Sequence, residues 1–276
     1  MPELPEVETV KETLKRKVLN KKIDSVVVRY EGIIESPSVL EFSKKIKGQV
    51  INDIKRKGKW LIFCLDDYFL LSHLRMEGKY FLKRNNEEYT KHECVIFKFS
   101  DETDLRYQDT RKFGKMLLVE KNKLEEARPI KVLGMEPWDE KLTINYLKEK
   151  YSSKRLPIKT VILDQSIITG IGNIYADEIL FLSKIHPLVK VNVLKNSDLE
   201  NIITNTKKVL EKAISEGGTT IRSYTSDEGV TGRFQNSLYV HCRANEKCLL
   251  CGDMIIKTKV GGRGTYYCPT CQKLRK

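Results

Sequence analysis

Along the first twenty residues, apolar side chains recur every three or four positions: Leu4, Val7, Val10, Leu14 and Val18. That spacing predicts a helix over 1–20 with one apolar face. Pro2 suits a first helical turn, and Glu3 and Glu6 suit the positive end of the helix dipole. From 23 to about 120 the pattern changes to short β-branched or aromatic runs between polar turns: IDSVVVRY, KWLIFCLDD, YFLLSHL, KYFLKR, CVIFKFSD, DLRYQD and KMLLVE. Strands at this spacing predict a β-sandwich or barrel. Helical spacing returns between about 130 and 216, in LTINYLKEKYSS, IKTVILDQS, NIYADEILFLSKI and DLENIITNTKKVLEKAISE. Gly217 and Gly218 fit a stop for the last run. Residues 217–237 are polar and glycine-containing and read as a mobile loop, before a small cysteine-bearing unit over 238–271. The class expected is multi-domain α+β, divided as 1–130, 131–237 and 238–276.

Composition narrows the choice of partner. In 276 residues, 50 Lys and Arg face 37 Asp and Glu, a formal net charge of +13. Such an excess implies nucleic acid, anionic lipid or an acidic protein, although a merely charged surface explains it nearly as well. No run of ~18 apolar residues is present, so no membrane span is expected. The first residues carry glutamates and lysines, so no signal peptide is visible either. Three of the seven cysteines are scattered (Cys64, Cys94, Cys242) and four are clustered. This is not a disulfide framework, and a cytoplasmic location is expected.

The clustered cysteines carry the strongest local signal. In CLLCGDMIIKTKVGGRGTYYCPTC, Cys248 and Cys251 are separated by two residues, as are Cys268 and Cys271, with sixteen residues between the pairs. Two such knuckles can close a thiolate tetrahedron around one structural Zn2+ per chain; two redox dithiols are the weaker alternative. MIIKTKV and TYY read as strands joined at GGRG, a zinc-ribbon hairpin too small to fold without its metal. The segment 236–276 has eight Lys/Arg against two Asp/Glu. Arg263 at the hairpin tip suits a phosphate or a DNA groove, or is simply an exposed turn arginine.

A second phosphate grip is suggested by ITGIGNIYADEILF, where Gly170, Gly172 and Asn173 precede a helical run. Asn173 is expected to cap that helix, and free N–H groups there can hold an anion. A dinucleotide fingerprint fits poorly, because Tyr175 replaces the third glycine and the preceding segment looks helical.

The chain start offers chemistry of its own. Methionine before a small residue is usually removed, which would leave Pro2 as a secondary amine. An α-amino group titrates near 7.7–8.0, about 2 units or more below lysine, so a useful fraction is neutral and nucleophilic. Attack on an aldehyde-like carbon gives an iminium that has no N–H proton to lose and acts as an electron sink for eliminations. Glu3 could move protons beside it. On these ten residues alone, an ordinary helix start explains the pattern as well.

MPELPEVETV closely resembles the N-terminal signature of the bacterial formamidopyrimidine-DNA glycosylases. The likeness continues in order through KGKWL, SHLRMEG, DLRYQDTRKFG, DQSIITGIGNIYADEILF, EGGTT and the two cysteine pairs. Leu4 separates the chain from the endonuclease VIII branch, which usually carries glycine there. The resemblance implies an N-terminal helix with a β-sandwich, then a helix–two-turn–helix domain with a zinc ribbon. It implies an enzyme of base excision repair that acts on damaged double-stranded DNA as a monomer at the bacterial nucleoid. An oxidised purine would be flipped out and released by Pro2, and the iminium would permit β- then δ-elimination. Glu3 takes the proton-transfer position, Lys59 that of a proton donor in β-elimination, and Arg263 that linked to δ-elimination. His92, Arg111, Arg155, Asn173 and Arg222 match DNA-contacting positions. Met76, Arg111 and Phe113 match the side chains that fill the hole left by the base; taken alone, Met76 and Phe113 read as core. The segment 217–237 matches the part that closes over the extruded base. Two departures stand out in YVHCRANEKC: Cys242 and Asn245 occupy positions where many relatives have glycine. Met135, in LGMEP, is another.

Overall fold

The computed structural model describes residues 1–219 and 232–275. Two compact units are present, Met1–Lys131 with Gly217–Gly232, and Val132–Glu216 with Arg233–Lys276.

The first unit begins with α1 (Leu4–Val18), whose five stripe residues are all buried. Glu3 is its N-cap, in extended backbone, and shares a reciprocal capping box with Glu6. Pro2 therefore precedes the helix, and Pro5 is the proline of the first turn. The strands follow as β1 (Ile23–Val28), β2 (Ile34–Ser36), β3 (Asp53–Lys57), β4 (Trp60–Cys64), β5 (Tyr68–His73), β6 (Lys79–Arg84), β7 (Glu93–Phe99), β8 (Thr103–Gln108) and β9 (Lys115–Glu120). A helix, α2 (Val39–Ile46), separates β2 from β3, and α3 (Arg128–Lys131) ends the unit's first segment. One sheet runs β2-β9-β5-β4-β3 and the other β1-β7-β8-β6. This is the expected sandwich, with Phe42, Phe63, Tyr80, Phe97 and Tyr107 among its core.

Strand register decides where the connections emerge. Trp60 pairs with His73, and His73 with Lys115, in the first sheet. Lys79 and Glu93 both pair with Gln108 in the second. Residues 74–78 and 109–114 each cross between the sheets. They do so at one end, which also receives the Gly58–Lys59 turn and His92. Helix α1 points there too. Lys15 Nζ binds Asp53 at 2.7 Å, and Glu8 accepts from Arg56 Nε at 2.7 Å, so the helix N-terminus runs beyond Lys57 toward that turn.

The second unit holds α4 (Ile144–Tyr151), α5 (Ile158–Val161), α6 (Asn173–Leu182), α7 (Asn196–Ser215) and the hairpin β10 (Ile256–Val260) with β11 (Arg263–Tyr267). Only four residues of IKTVILDQS are helical, and its Gln165 carbonyl instead accepts from the Gly134 N–H at 2.8 Å. After α7, Gly217 and Gly218 take φ of 75° and 78°, the left-handed region that stops a helix. The segment 217–237 is not all loop: Phe234–Ser237 form a 3-10 turn, with Phe234 buried against Tyr175. The ribbon shares a core with α6, in which Phe181 packs with Val240, Ile255, Cys248 and Cys268. No described helix is long and apolar enough to cross a membrane.

Candidate functional site

At the start of α1 both carboxylates are nearly inaccessible: Glu3 is 3% and Glu6 5% exposed. Glu6 Oε2 accepts from the Glu3 N–H at 2.8 Å, which fixes the backbone directly after Pro2. Its Oε1 accepts from Thr219 N at 2.7 Å and Thr219 Oγ1 at 3.0 Å. A Cβ on Gly218 would lie 2.8 Å from that same Oε1, at a φ of 78°. The EGGTT motif thus ends on Glu6, a residue the sequence offered only as a dipole partner. Pro2 itself is half-buried.

Lys59 lies in the two-residue turn between β3 and β4 and is only 6% exposed. Beside it in the sheet, Trp60 meets the His73 ring edge-on at 4.8 Å. His73 Nδ1 accepts from the Arg75 N–H at 2.9 Å. Burial, with help from the positive charges of Arg75 and Lys59, pushes the His73 pKa down to about 3. Its neutral ring is a fixed acceptor that holds the turn into residues 74–78. SHLRMEG carried that signal, but only Met76 was singled out within it.

The two crossing loops carry Met76 on one side and Arg111 and Phe113 on the other. Met76 is 39% and Phe113 50% exposed, unusual for large apolar side chains. The Arg111 guanidinium sits over the Phe113 ring at 4.8 Å. Arg75 and Lys112 adopt φ of 52° and 58°, so each loop turns through a left-handed non-glycine residue. Asp109, fully buried, organises the second loop: Oδ1 accepts from Arg111 N at 3.0 Å and Oδ2 from Gly114 N at 2.7 Å. Its own N–H donates to the carbonyl of half-buried His92 at 3.0 Å. Asp109 was missed because a lone Asp in a turn reads as solvated.

In the second unit, Gly172 is the N-cap of α6 and Asn173 its first helical residue. Asn173 therefore does not cap the helix. Its Nδ2 instead donates to the Gly264 carbonyl at 2.9 Å, tying the helix start to the ribbon hairpin. Gly261 and Gly262, at φ of 54° and 77°, form the hairpin turn. Arg263 follows it, and Lys257, Lys259 and Arg263 are all exposed. Behind this face lies a buried ionic chain. Lys159 Nζ donates to the Asn173 carbonyl at 2.9 Å and to Asp177 Oδ1 at 2.6 Å. Asp177 Oδ2 meets His241 Nδ1 at 2.7 Å. Glu178 accepts from the N–H groups of Tyr239, Val240 and His241, although burial still pushes its pKa up. Arg155 sits just past the C-terminal end of α4, where its guanidinium donates to the carbonyls of Ser152 and Lys154. Arg222 lies outside the described residues.

Cys248, Cys251, Cys268 and Cys271 bring four sulfurs within 4.8 Å of one another. The Cys248–Cys271 and Cys251–Cys268 sulfurs are 3.9 and 3.4 Å apart. A zinc–sulfur length of about 2.3 Å requires tetrahedral edges of about 3.8 Å, so the cluster fits Zn2+. Cys242 is exposed and outside that cluster. It and Asn245 take left-handed φ of 63° and 66°, a reason for glycine to be common at both positions.

Comparison with known proteins gives one consistent result. Residues 1–116 match the family model for the formamidopyrimidine-DNA glycosylase N-terminal domain, and 133–225 that for the formamidopyrimidine-DNA glycosylase H2TH domain. Residues 245–274 match the zinc finger found in FPG and IleRS. A formamidopyrimidine-DNA glycosylase of Oceanobacillus iheyensis is 47% identical over 273 residues, 99% of this chain and 98% of the relative. One from Listeria monocytogenes is 44% identical over 99% of this chain and all of the relative. The Lactococcus lactis Fpg structure in complex with DNA containing an abasic site is 40% identical, with a TM-score of 0.92 over 99% of this chain and 100% of that one. Its complex with Fapy-dG-containing DNA is 38% identical, with a TM-score of 0.91 at the same coverage.

Proposed function

The chain belongs to the formamidopyrimidine-DNA glycosylase family, and from that premise we propose that it is a bifunctional DNA glycosylase and abasic-site lyase that removes oxidised purines, 8-oxoguanine and formamidopyrimidines, from double-stranded DNA. The supporting observation is the arrangement at one end of the sandwich. The α1 N-terminus with Pro2 and Glu3, the Lys59 turn and the two crossing loops all face the same way.

In this reading, loss of Met1 exposes the Pro2 nitrogen. Its lone pair forms a bond to the sugar's anomeric carbon, and the bond from that carbon to the base breaks. The base leaves with the bonding electrons and takes up a proton. Opening of the sugar gives the iminium. Loss of a C2′ proton then expels the 3′ phosphate, and loss of a second proton expels the 5′ phosphate. Glu3 moves protons next to the nucleophile, in a backbone position set by Glu6. Lys59 serves the first elimination and Arg263 the second. Met76 and Phe113 wedge into the stack vacated by the base, and Arg111 reads the orphaned cytosine. His92, Arg155, Asn173 and Arg222 hold backbone phosphates. The zinc site has no free position for chemistry. When bound, Zn2+ closes the ribbon, and the chain's own part is to hold Arg263 on a stiff hairpin beside Asn173.

The test compares duplexes carrying 8-oxoguanine opposite cytosine with duplexes carrying thymine glycol. The reading expects cleavage of the first to exceed that of the second by about tenfold or more, an energy difference of about 1.4 kcal/mol. A preference for thymine glycol would place the chain with the oxidised-pyrimidine enzymes instead.

A further inference from the structure

Met76 and the Arg111–Phe113 pair come from different loops, yet to fill one hole they must move as a unit. One side chain links both loops. The Tyr107 ring is fully buried, packed edge-on against Tyr80 with centroids 5.1 Å apart. Its hydroxyl lies between Gly78, at the end of the Met76 loop, and Gly114, at the end of the other. A Cβ on Gly78 would fall 2.2 Å from the hydroxyl oxygen, and one on Gly114 only 1.7 Å. Both positions therefore require glycine in this packing. The hydroxyl lies 3.4 Å from Asp109 Oδ2, which also accepts from Gly114 N. The other Asp109 oxygen accepts from Arg111 N, and the Asp109 carbonyl from Lys112 N at 3.3 Å. On the other side, Gly78 N donates to the Leu74 carbonyl at 2.9 Å, closing the turn that displays Met76.

We infer that the Tyr107 hydroxyl and the Asp109 carboxylate form a single positioning device that sets both loops in register, so that the three exposed side chains enter the stack together. This rests on the glycosylase reading above. Both act through the loops they hold and are positioning residues. A 1 Å displacement of reacting groups can change rates by about 100-fold, so loosening the loops should be felt at base extrusion. A preformed abasic site has no base to extrude, and its cleavage should be spared.

The test uses the full-length zinc-loaded enzyme with Tyr107→Phe, Asp109→Asn and the double variant. An asparagine in place of Asp109 keeps one acceptor oxygen but cannot accept from both N–H groups. Three rates are compared: excision of 8-oxoguanine opposite cytosine, excision opposite adenine, and strand cleavage at a preformed abasic site. Each single variant should lose about 10- to 100-fold in kcat/KM for the lesion opposite cytosine and less than about threefold at the abasic site. The cytosine-over-adenine preference should shrink, because Arg111 no longer holds its place. The double variant should be no worse than the poorer single one, since both break the same device. Parallel losses on lesion and abasic DNA would overturn the inference, as would an unchanged base preference or losses that multiply. Should Asp109→Asn fail to fold, Tyr107→Phe decides alone, because its ring still fills the core. A wild-type enzyme inactive on 8-oxoguanine would reject the glycosylase reading; an active one with unaffected variants would reject only this inference.

Discussion

Replacing Lys159 with methionine removes one end of the ionic chain beneath the α6 N-terminus. Lys159 and Asp177 are both fully enclosed, with Nζ and Oδ1 2.6 Å apart. Without the ammonium, Asp177 is left with its His241 contact. Removing one partner of a buried pair costs about 3–5 kcal/mol, because the remaining charge stays desolvated. The Asn173 carbonyl also loses a donor, worth about 1 kcal/mol. The expected loss for Lys159→Met is therefore about 4 kcal/mol, localised in the second unit. Replacing both members, as Lys159→Met with Asp177→Leu, should recover much of it, since an apolar pair of similar volume needs no compensating charge. The two tryptophans make this measurable: Trp60 is in the first unit and Trp138 in the second. In a Trp60→Phe background, urea unfolding followed by fluorescence reports on the second unit alone. A loss under about 1 kcal/mol for the single variant, or a double variant as unstable as the single, would refute the reasoning.

Four other outcomes follow. His73 is depressed from 6.5 to about 3 in the folded chain, so its contribution is complete above 6.5 and is lost as the pH falls toward 3. Between pH 7 and pH 5 this amounts to about 2 kcal/mol, and His73→Asn, which keeps an acceptor for Arg75 N, should flatten the pH dependence of unfolding there. Cys242→Gly and Asn245→Gly should each stabilise by up to about 1 kcal/mol by relieving left-handed backbone, read as a higher urea midpoint. Elemental analysis should find about one zinc per chain, and a chelator should melt the ribbon core around Phe181 and lower DNA affinity. Affinity for abasic duplex should fall steeply with salt, and Lys257→Ala should reduce that slope by about 1 if it contacts a phosphate; an unchanged slope would remove it from the interface.

Some of this was legible in the chain and some was not, for physical reasons. The α1 stripe and the runs WLIFC and CVIFKF are visible because burial on a helix face or in a sheet writes a period or an apolar block. Strand β3, DIKRK, was missed because only Ile54 is buried and the rest carry charge. The helix expected over IKTVILDQS ends after Val161, and Gln165 instead accepts from the Gly134 N–H, a tertiary pairing that periodicity does not encode. The four cysteines announced themselves by spacing. Asn173 suggested a cap and proved to be a tether, because its partner Gly264 is ninety-one residues away. Lys159 and Asp109 did not stand out in the sequence, since nothing local marks a buried ion. The amine chemistry open to Pro2 could be read from the residue itself, but only the resemblance favoured it over an ordinary helix start, because ten residues of helix start look alike whatever the nitrogen does.

The most direct measurement is borohydride trapping during turnover on 8-oxoguanine duplex, followed by peptide mass analysis of the protein–DNA adduct. A stoichiometric adduct is expected on the N-terminal peptide, carried by the nitrogen of Pro2 in chains that have lost Met1. An adduct on a lysine, or strand cleavage that continues at full rate with no adduct formed, would contradict it.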